Sequence, residues 1–135
     1  MATPDIKPHI DAITAALTGA GLAVGDGIAP AASAVPATGI YAVLYANAGR
    51  SVRESLADTR TDYELLFQIT CVAPTAEKCR WAAQRVRAAL GGPITVTGRT
   101  AWRPEELGGP PIQRDDDLSP PVYYLPVQYR LQSTA

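Results

Sequence analysis

The sequence predicts an α+β fold, in which two helices cover a mixed, mostly antiparallel sheet of four or five strands as a two-layer sandwich. Two observations predict it. The hydrophobic period changes from that of a strand to that of a helix within residues 62–90, and a second helical stripe stands near the N-terminus. At 135 residues, the chain is expected to form a single domain spanning 1–135 with one core.

The first element is an amphipathic helix. Its apolar stripe at helical spacing consists of Ile6, Ile10, Ile13, Leu17 and Ala20. The helix is expected to open near Asp5 or Pro8 and to end at Gly19 or Gly21. His9, the only histidine of the chain, lies off this stripe, so we predict an exposed side chain there.

The next segments predict two strands and two loops. Residues 22–24 form a short strand that a turn at residues 25–27 closes. Residues 28–38 contain two prolines and no period, and indicate an extended loop. Residues 40–46 are apolar on both faces, which is typical of a central strand. Residues 47–61 are polar and too long for an ordinary hairpin connection, so we expect a loop that is functional or mobile.

The segment of residues 62–90 joins a long strand to a long helix. Apolar side chains alternate in its first part, at Tyr63, Leu65, Phe67, Ile69 and Cys71. Ala73 and Pro74 end the strand, because proline has no N–H to give to a ladder. Thr75 is expected to cap a helix. The helical stripe that follows consists of Ala76, Cys79, Ala82, Ala83, Val86 and Leu90.

The last third of the chain predicts two strands around a loop. Residues 94–102 alternate with a period of two, and residues 103–121 are rich in proline, glycine and aspartate. Residues 122–131 form the closing strand, in which Pro126 indicates an edge position or a bulge. One face of this strand is expected to carry Tyr123, Leu125, Val127, Tyr129 and Leu131.

Charge and cysteine content exclude several classes of function. The net charge of −1 gives no bulk attraction to nucleic acid or to an anionic membrane. No run of about 18 apolar residues exists, and the N-terminus does not resemble a secretory signal, so we expect a cytoplasmic protein without membrane contact. Cys71 and Cys79 are interpreted as small buried apolar residues, with a disulfide as the alternative.

Catalytic and metal-binding patterns are missing from the sequence. It contains no nucleophile elbow, no phosphate-binding loop and no dinucleotide-binding glycine loop, so we expect neither an enzyme nor a cofactor. Asp115, Asp116 and Asp117 form the one dense carboxylate cluster. Three consecutive carboxylates do not fold around an ion as spaced ligands do, so no metal is expected. A solvated loop, or an interface element together with Arg114, is favoured.

The outer face of the second helix is basic. It carries Lys78, Arg80, Arg85 and Arg87, for which a solvated face is favoured over a nucleic-acid surface, because no array of stacking aromatic residues accompanies them. Trp81 stands four residues before Arg85, a combination that is enriched at protein interfaces. The alternative is that the Trp81 side chain folds over an edge of the sheet.

Five stretches of the chain, taken in order, carry a resemblance to one protein family. They are the first helix (Ile6 to Leu17), GLAVGDG at 21–27, IYAVLYANAG at 40–49, DYELLFQITCVAPTAEKCRWAAQRVRAAL at 62–90 and RDDDLSPPVYYLPVQYRL at 114–131. In their order and spacing they resemble the tail terminator proteins of long-tailed bacteriophages, especially the small versions in phages of actinobacteria. The Ala/Pro-rich residues 28–38 depart from the family.

The resemblance implies a structural virion protein without catalytic residues. Such a protein forms a ring, usually hexameric, at the head-proximal end of the tail, and is assembled in the host cytoplasm. The ring caps the tail tube protein, stops tube polymerisation and offers a surface to the head-completion or connector protein, while DNA passes through its lumen without specific binding. The alternatives are a head–tail connector or stopper of the same assembly, and a small ligand-binding or enzyme-accessory domain with a deep apolar pocket.

Two charged loops and one helix face are the predicted interface. Charges on such loops can pair across a subunit contact, and the three aspartates could also line the lumen and repel DNA. The candidate interface residues are Arg50, Arg53, Glu54, Asp58, Arg60, Trp81, Arg85, Arg114, Asp115, Asp116 and Asp117.

Overall fold

The computed structural model describes residues 5–52 and 62–134, and in this part of the chain two helices and eight strands form a two-layer α+β sandwich. In chain order the elements are α1 (Ile6–Gly19), β1 (Val24–Asp26), β2 (Tyr41–Ala46), β3 (Arg50–Val52), β4 (Asp62–Ala73), α2 (Ala76–Ala89), β5 (Thr100–Ala101), β6 (Glu105–Gly108), β7 (Gln113–Asp115) and β8 (Val122–Thr134).

The sheet is mixed and mostly antiparallel, as predicted. Its main path runs β1-β2-β4-β8-β5, and the pairing of β1 with β2 is its parallel step. The strand count exceeds the prediction because β3, β6 and β7 form within segments predicted as loops. Each of them is short and pairs with β4 or β8, which are long enough to serve as templates for several partners.

The ladder between β4 and β8 is the centre of the sheet. Its register runs from Tyr63 opposite Ser133 to Ala73 opposite Tyr123. Pro126 does not interrupt β8. On the edge away from β4, it lies between the part of β8 that pairs with β6 and the part that pairs with β7, and its carbonyl oxygen faces Gly109. The N–H and C=O groups of one strand residue point to the same side. The N–H that proline lacks would therefore point to this edge, where neither β6 nor β7 pairs with Pro126.

Both helices begin where the sequence predicts, and each has a side-chain cap. Asp5 accepts a hydrogen bond from the Lys7 backbone N–H at 3.1 Å, and Thr75 accepts one from the Lys78 N–H at 3.2 Å. The helix α2 packs on β4 and β8 through its buried side chains, which are Cys79, Ala82 and Val86. None of the helices in the described ranges is long and apolar enough to span a membrane.

The core lies between the helices and one face of the sheet. On β4 the predicted alternation is confirmed, because Tyr63, Leu65, Phe67, Ile69 and Cys71 are all buried in this cluster. The opposite face of the sheet is more open, and Tyr45 and Leu66 on that face are 45% and 42% exposed.

Two strand predictions were wrong in their bounds. Within residues 94–102 only Thr100 and Ala101 form a strand, because Gly98 at φ 77° and a hydrogen bond from the Arg99 N–H to the Val96 carbonyl close a tight turn there. The short strand predicted at 22–24 runs instead from Val24 to Asp26, so two of the predicted turn residues, Gly25 and Asp26, belong to the strand. Residues 28–38 form a loop as expected, with one 3₁₀ turn.

Candidate functional site

The three aspartates lie in an acidic turn, residues 114–118, that includes the last two residues of β7 and precedes β8. Arg114 forms an ion pair with Asp116, and an Asp115 carboxylate oxygen accepts a hydrogen bond from the Asp117 N–H at 3.0 Å. The Asp117 carboxylate has no hydrogen bond or ion pair within the described residues, and Leu118 beside it is 50% exposed. The turn therefore presents one free carboxylate and one exposed apolar side chain.

Metal binding by the acidic turn finds no support in its geometry. Two of its carboxylates are occupied within the turn itself, one by the Arg114 guanidinium and one by a backbone N–H. Throughout residues 5–52 and 62–134, no three histidine, cysteine or carboxylate side chains are grouped as an ion would require.

Trp81 and Arg85 form a pair on the outer face of α2. The Arg85 guanidinium carbon lies 4.9 Å from the centre of the Trp81 ring, which is a cation–π distance. Trp81 is 48% exposed, so its indole stays on the helix surface, with Lys78 and Arg80 exposed close by in the sequence. The predicted interface residues Trp81 and Arg85 are thus brought together as one amphipathic feature.

A charged cleft of about 450 Å³ opens at the C-terminal end of α2. The residues that line the cleft are Arg87, Leu90, Gly91, Arg103, Pro104, Glu105, Glu106 and Tyr129. Arg87 donates to Glu106 at 3.0 Å, and Arg130 forms an ion pair with Glu105. Arg103 is exposed and has no ion pair within the described ranges. The sequence did not predict this cleft, because its walls come from segments that only the fold brings together.

The other predicted charges divide between a strand and residues that the structure does not describe. Arg50 belongs to β3, and its Nε lies 3.6 Å from a carboxylate oxygen of Glu64 on β4. The prediction of a continuous loop was therefore wrong at residues 50–52. The remaining candidates lie outside the described residues, and these are Arg53, Glu54, Asp58 and Arg60.

His9 is fully buried, which corrects the prediction of an exposed side chain. The buried face of α1 is His9, Ile13 and Leu17, at a spacing of four, whereas Ile6 is 39% exposed. The predicted apolar stripe therefore lay on a helix face that is slightly rotated from the buried face. Because Ile13 and Leu17 continue the four-residue spacing from His9, that spacing is the signal that could have placed the histidine inside.

The buried imidazole joins three distant parts of the chain. Its Nδ1 lies 2.8 Å from the Asp5 carbonyl oxygen and its Nε2 lies 2.7 Å from Ser133 Oγ, which accepts a hydrogen bond from Arg99 Nε at 2.8 Å. Burial lowers the pKa of His9, so the neutral ring is favoured. With Nδ1 protonated, Nε2 accepts from the Ser133 hydroxyl and each group in this polar network has a partner.

The His9–Ser133 distance is also that of a nucleophile and its base. Both side chains are fully buried, so a substrate has no access to the hydroxyl. The geometry therefore fits a structural role, in which the network holds α1 against the end of β8.

The two cysteines are free thiols in the core, as the sequence predicts. The Cys79 Sγ donates to the Cys71 carbonyl oxygen at 3.2 Å. Burial raises the pKa of Cys71 to about 12 and that of Cys79 to about 11. Neither thiol forms a reactive thiolate at neutral pH, because the thiolate is the nucleophilic form.

Comparison with known proteins yields a likeness of structure. No protein-family model and no curated protein matches the chain. A chain in the virion of a native gene transfer agent particle shares its fold, with a TM-score of 0.64, 18% identity and 93% of both chains covered. The chain has a fold that occurs in a virion. A second solved chain matches with a TM-score of 0.54 and 19% identity, over 97% of this chain and 96% of its own length.

Proposed function

We propose that the protein is a structural virion protein that acts as a tail terminator. In this role it forms a ring, expected to be hexameric, that caps the tail tube, stops its polymerisation and provides the surface for head attachment. The observation that carries the proposal is the fold shared with a chain of the gene transfer agent virion, over 93% of both chains. The sequence resemblance to tail terminators supports the finer assignment.

A ring explains how tube growth could stop. A tube of identical subunits ends only where a layer matches the tube below and offers no equivalent surface above. A closed ring meets this need through head-to-tail contacts, in which each copy presents two different lateral surfaces. The exposed features of this chain that suit such contacts are the Trp81–Arg85 pair, the acidic turn and Arg50 on β3.

The proposed partners follow from the position of the ring. They are other copies of the same chain, the tail tube protein on one side and the head-completion or connector protein on the other. DNA would pass through the lumen without specific binding, because the net charge of −1 supplies no general attraction to phosphate. The proposed location is the head-proximal end of the virion tail, after assembly in the host cytoplasm.

A connector or stopper of the same assembly is the second candidate, because the shared virion fold favours it equally. A small ligand-binding domain has less support. Its pocket should be mainly apolar with a few polar groups, whereas charged side chains make up half of the cleft lining.

Imaging of the purified full-length protein tests the proposal. We expect negative-stain images of concentrated protein, or of protein mixed with tail tubes, to show rings with a central hole. Immunogold labelling of intact tails should place the protein in one layer that touches the tube. A layer that is separated from the tube by another protein would favour the connector, and label along the whole tube would contradict both assignments.

A further inference from the structure

We infer that the acidic turn of one copy docks in the charged cleft of the next copy, with Asp117 against Arg103 and Leu118 against Pro104 and Tyr129. The inference rests on the proposed ring and names one of its lateral contacts. The occupant of the cleft is a second copy of this chain. Three properties support the contact, namely the unpaired Arg103 in the cleft, the polarity of the cleft walls and the distance between the two surfaces on one molecule.

One positive side chain of the cleft has no ion-pair partner among the described residues. Arg87 is paired with Glu106 and Arg130 with Glu105, so Arg103 remains without an ion pair in the described part of the chain. A guanidinium binds a carboxylate through two parallel hydrogen bonds. A carboxylate that enters the cleft can therefore pair with Arg103, while Glu105 and Glu106 are already paired with arginines.

The floor and walls of the cleft offer a hydrogen-bond donor beside apolar surface. The Tyr129 ring stacks on Phe67 with 5.5 Å between centroids, and Leu90 and Pro104 are buried around the cleft. Burial raises the pKa of Tyr129 to about 12, so its hydroxyl stays protonated. That hydroxyl has no hydrogen bond within the described residues, and it can donate to an incoming carboxylate.

The acidic turn matches the cleft in both respects. Asp115 and Asp116 are occupied within the turn, by the Asp117 N–H and by Arg114. The exposed Asp117 carboxylate is therefore the carboxylate of the turn that has no partner among the described residues. Leu118, 50% exposed, follows it directly and would bury its side chain against the apolar wall.

The two surfaces of one molecule are too far apart to meet each other. The pairing of β7 with β8 fixes the turn beside Val122, whereas the cleft lies at Tyr129 of the same strand. Seven strand residues span about 24 Å at about 3.4 Å each. The turn can therefore occupy only the cleft of another copy, and a contact between two different surfaces repeats from copy to copy.

Cysteine crosslinking tests this contact in the full-length chain. In the double variant D117C/R103C, mild oxidation should give a ladder of disulfide-linked multimers on a non-reducing denaturing gel. An equimolar mixture of the two single variants should stop at dimers. The native Cys71 and Cys79 are 1% and 0% exposed, so they add no crosslinks. The matched control is D11C/R103C, because Asp11 is an exposed carboxylate on α1, away from the turn.

Charge reversal supplies a second arm of the experiment. R103D and D117R should each abolish ring formation, and their combination should restore it. No ladder from D117C/R103C, or an equal ladder from the D11C control, would overturn the contact. Rings that form without this crosslink would refute the contact and leave the terminator role standing. A ladder from a protein whose loss leaves tails of normal length would keep the contact and remove the role.

Discussion

At the scale of single residues, the buried His9 connects three elements of the fold. It contacts the backbone at the start of α1 and the Ser133 hydroxyl near the end of β8. The His9 ring also lies 4.4 Å from the Tyr63 ring on β4, so three elements meet at one imidazole. A buried polar group of this kind stabilises the fold only while its partners are present.

Removal of the Ser133 hydroxyl should therefore be costly. In Ser133→Ala, the fully buried His9 Nε2 loses its donor, and the partly buried Arg99 Nε loses an acceptor. We expect the free energy of unfolding to fall by about 1–3 kcal/mol, which urea denaturation can measure. Ser33→Ala, at an exposed position in the 3₁₀ turn, is the matched control and should be neutral. A Ser133→Ala variant as stable as the control would remove the network from the account.

The lowered pKa of the buried His9 predicts that the stability of the fold depends on pH. Burial lowers the His9 pKa in the folded state below its ordinary value of 6.5, so the unfolded chain binds more protons in the interval between the two values. The stabilisation is fully present above pH 6.5 and is lost as the pH falls from there toward the lowered pKa, with a slope of up to about 1.4 kcal/mol per pH unit. Urea midpoints measured between pH 7.5 and 5 should show this loss, and His9→Gln should show a flatter profile. Equal slopes in the two proteins would contradict the prediction.

The sequence predicts the burial of a side chain well where a local pattern determines it, and poorly where a partner distant in the sequence determines it. The buried cysteines follow from the alternation of β4 and the stripe of α2. The burial of His9 has only the four-residue spacing to Ile13 and Leu17 as a local signal, and its polar partner, Ser133, is 124 residues away in the sequence. A polar residue on a helix is assigned to solvent unless such a partner is known.

At the scale of elements, the unit of β4 and α2 organises the core. The strand supplies one ladder to β8 and another to β2, and the helix returns across the same face. Sequence alone predicts this unit because the change of period, Pro74 and the Thr75 cap are all local signals. The short strands β3, β6 and β7 could not be predicted in this way, since each forms only against a long neighbouring strand.

Val86 tests the register of α2. Its side chain is 1% exposed and belongs to the core cluster, so Val86→Asp would bury a carboxylate without a partner. We expect a loss of several kcal/mol, of the order that unfolds a small domain. Gln84→Asp places the same charge on the exposed side of the same helix and should be nearly neutral. Thermal melting distinguishes the two, and a normally melting Val86→Asp protein would show that the helix register is wrong.

At the scale of the whole molecule, the candidate surfaces differ in how far sequence could find them. Trp81, Arg85 and the acidic turn are recognisable as local combinations of residue types. The charged cleft is not recognisable, because α2, the segment around Arg103 and the middle of β8 form it together. Sequence can therefore supply one side of the proposed subunit contact, while the complementary side requires the fold.

Trp81 should matter for assembly more than for folding. It is 48% exposed, so Trp81→Ala removes little buried surface from the monomer and should change the melting temperature only slightly. If the indole is an interface anchor, the variant should form rings or join tails several-fold less well, as truncation of interface tryptophans does elsewhere. Trp102→Ala, at an indole that is 53% exposed, is the matched control. Equal assembly of both variants with wild type would exclude Trp81 as an anchor.

The most direct test of the terminator role is the length of tails made without this protein. A phage with its gene deleted should be examined by electron microscopy, beside the same phage complemented by the wild-type chain. Because nothing would then cap the tube, we expect over-long tails of variable length without attached heads. The loss of a connector should leave tail length unchanged and prevent only head attachment. Tails of normal, uniform length with heads attached would contradict the terminator role.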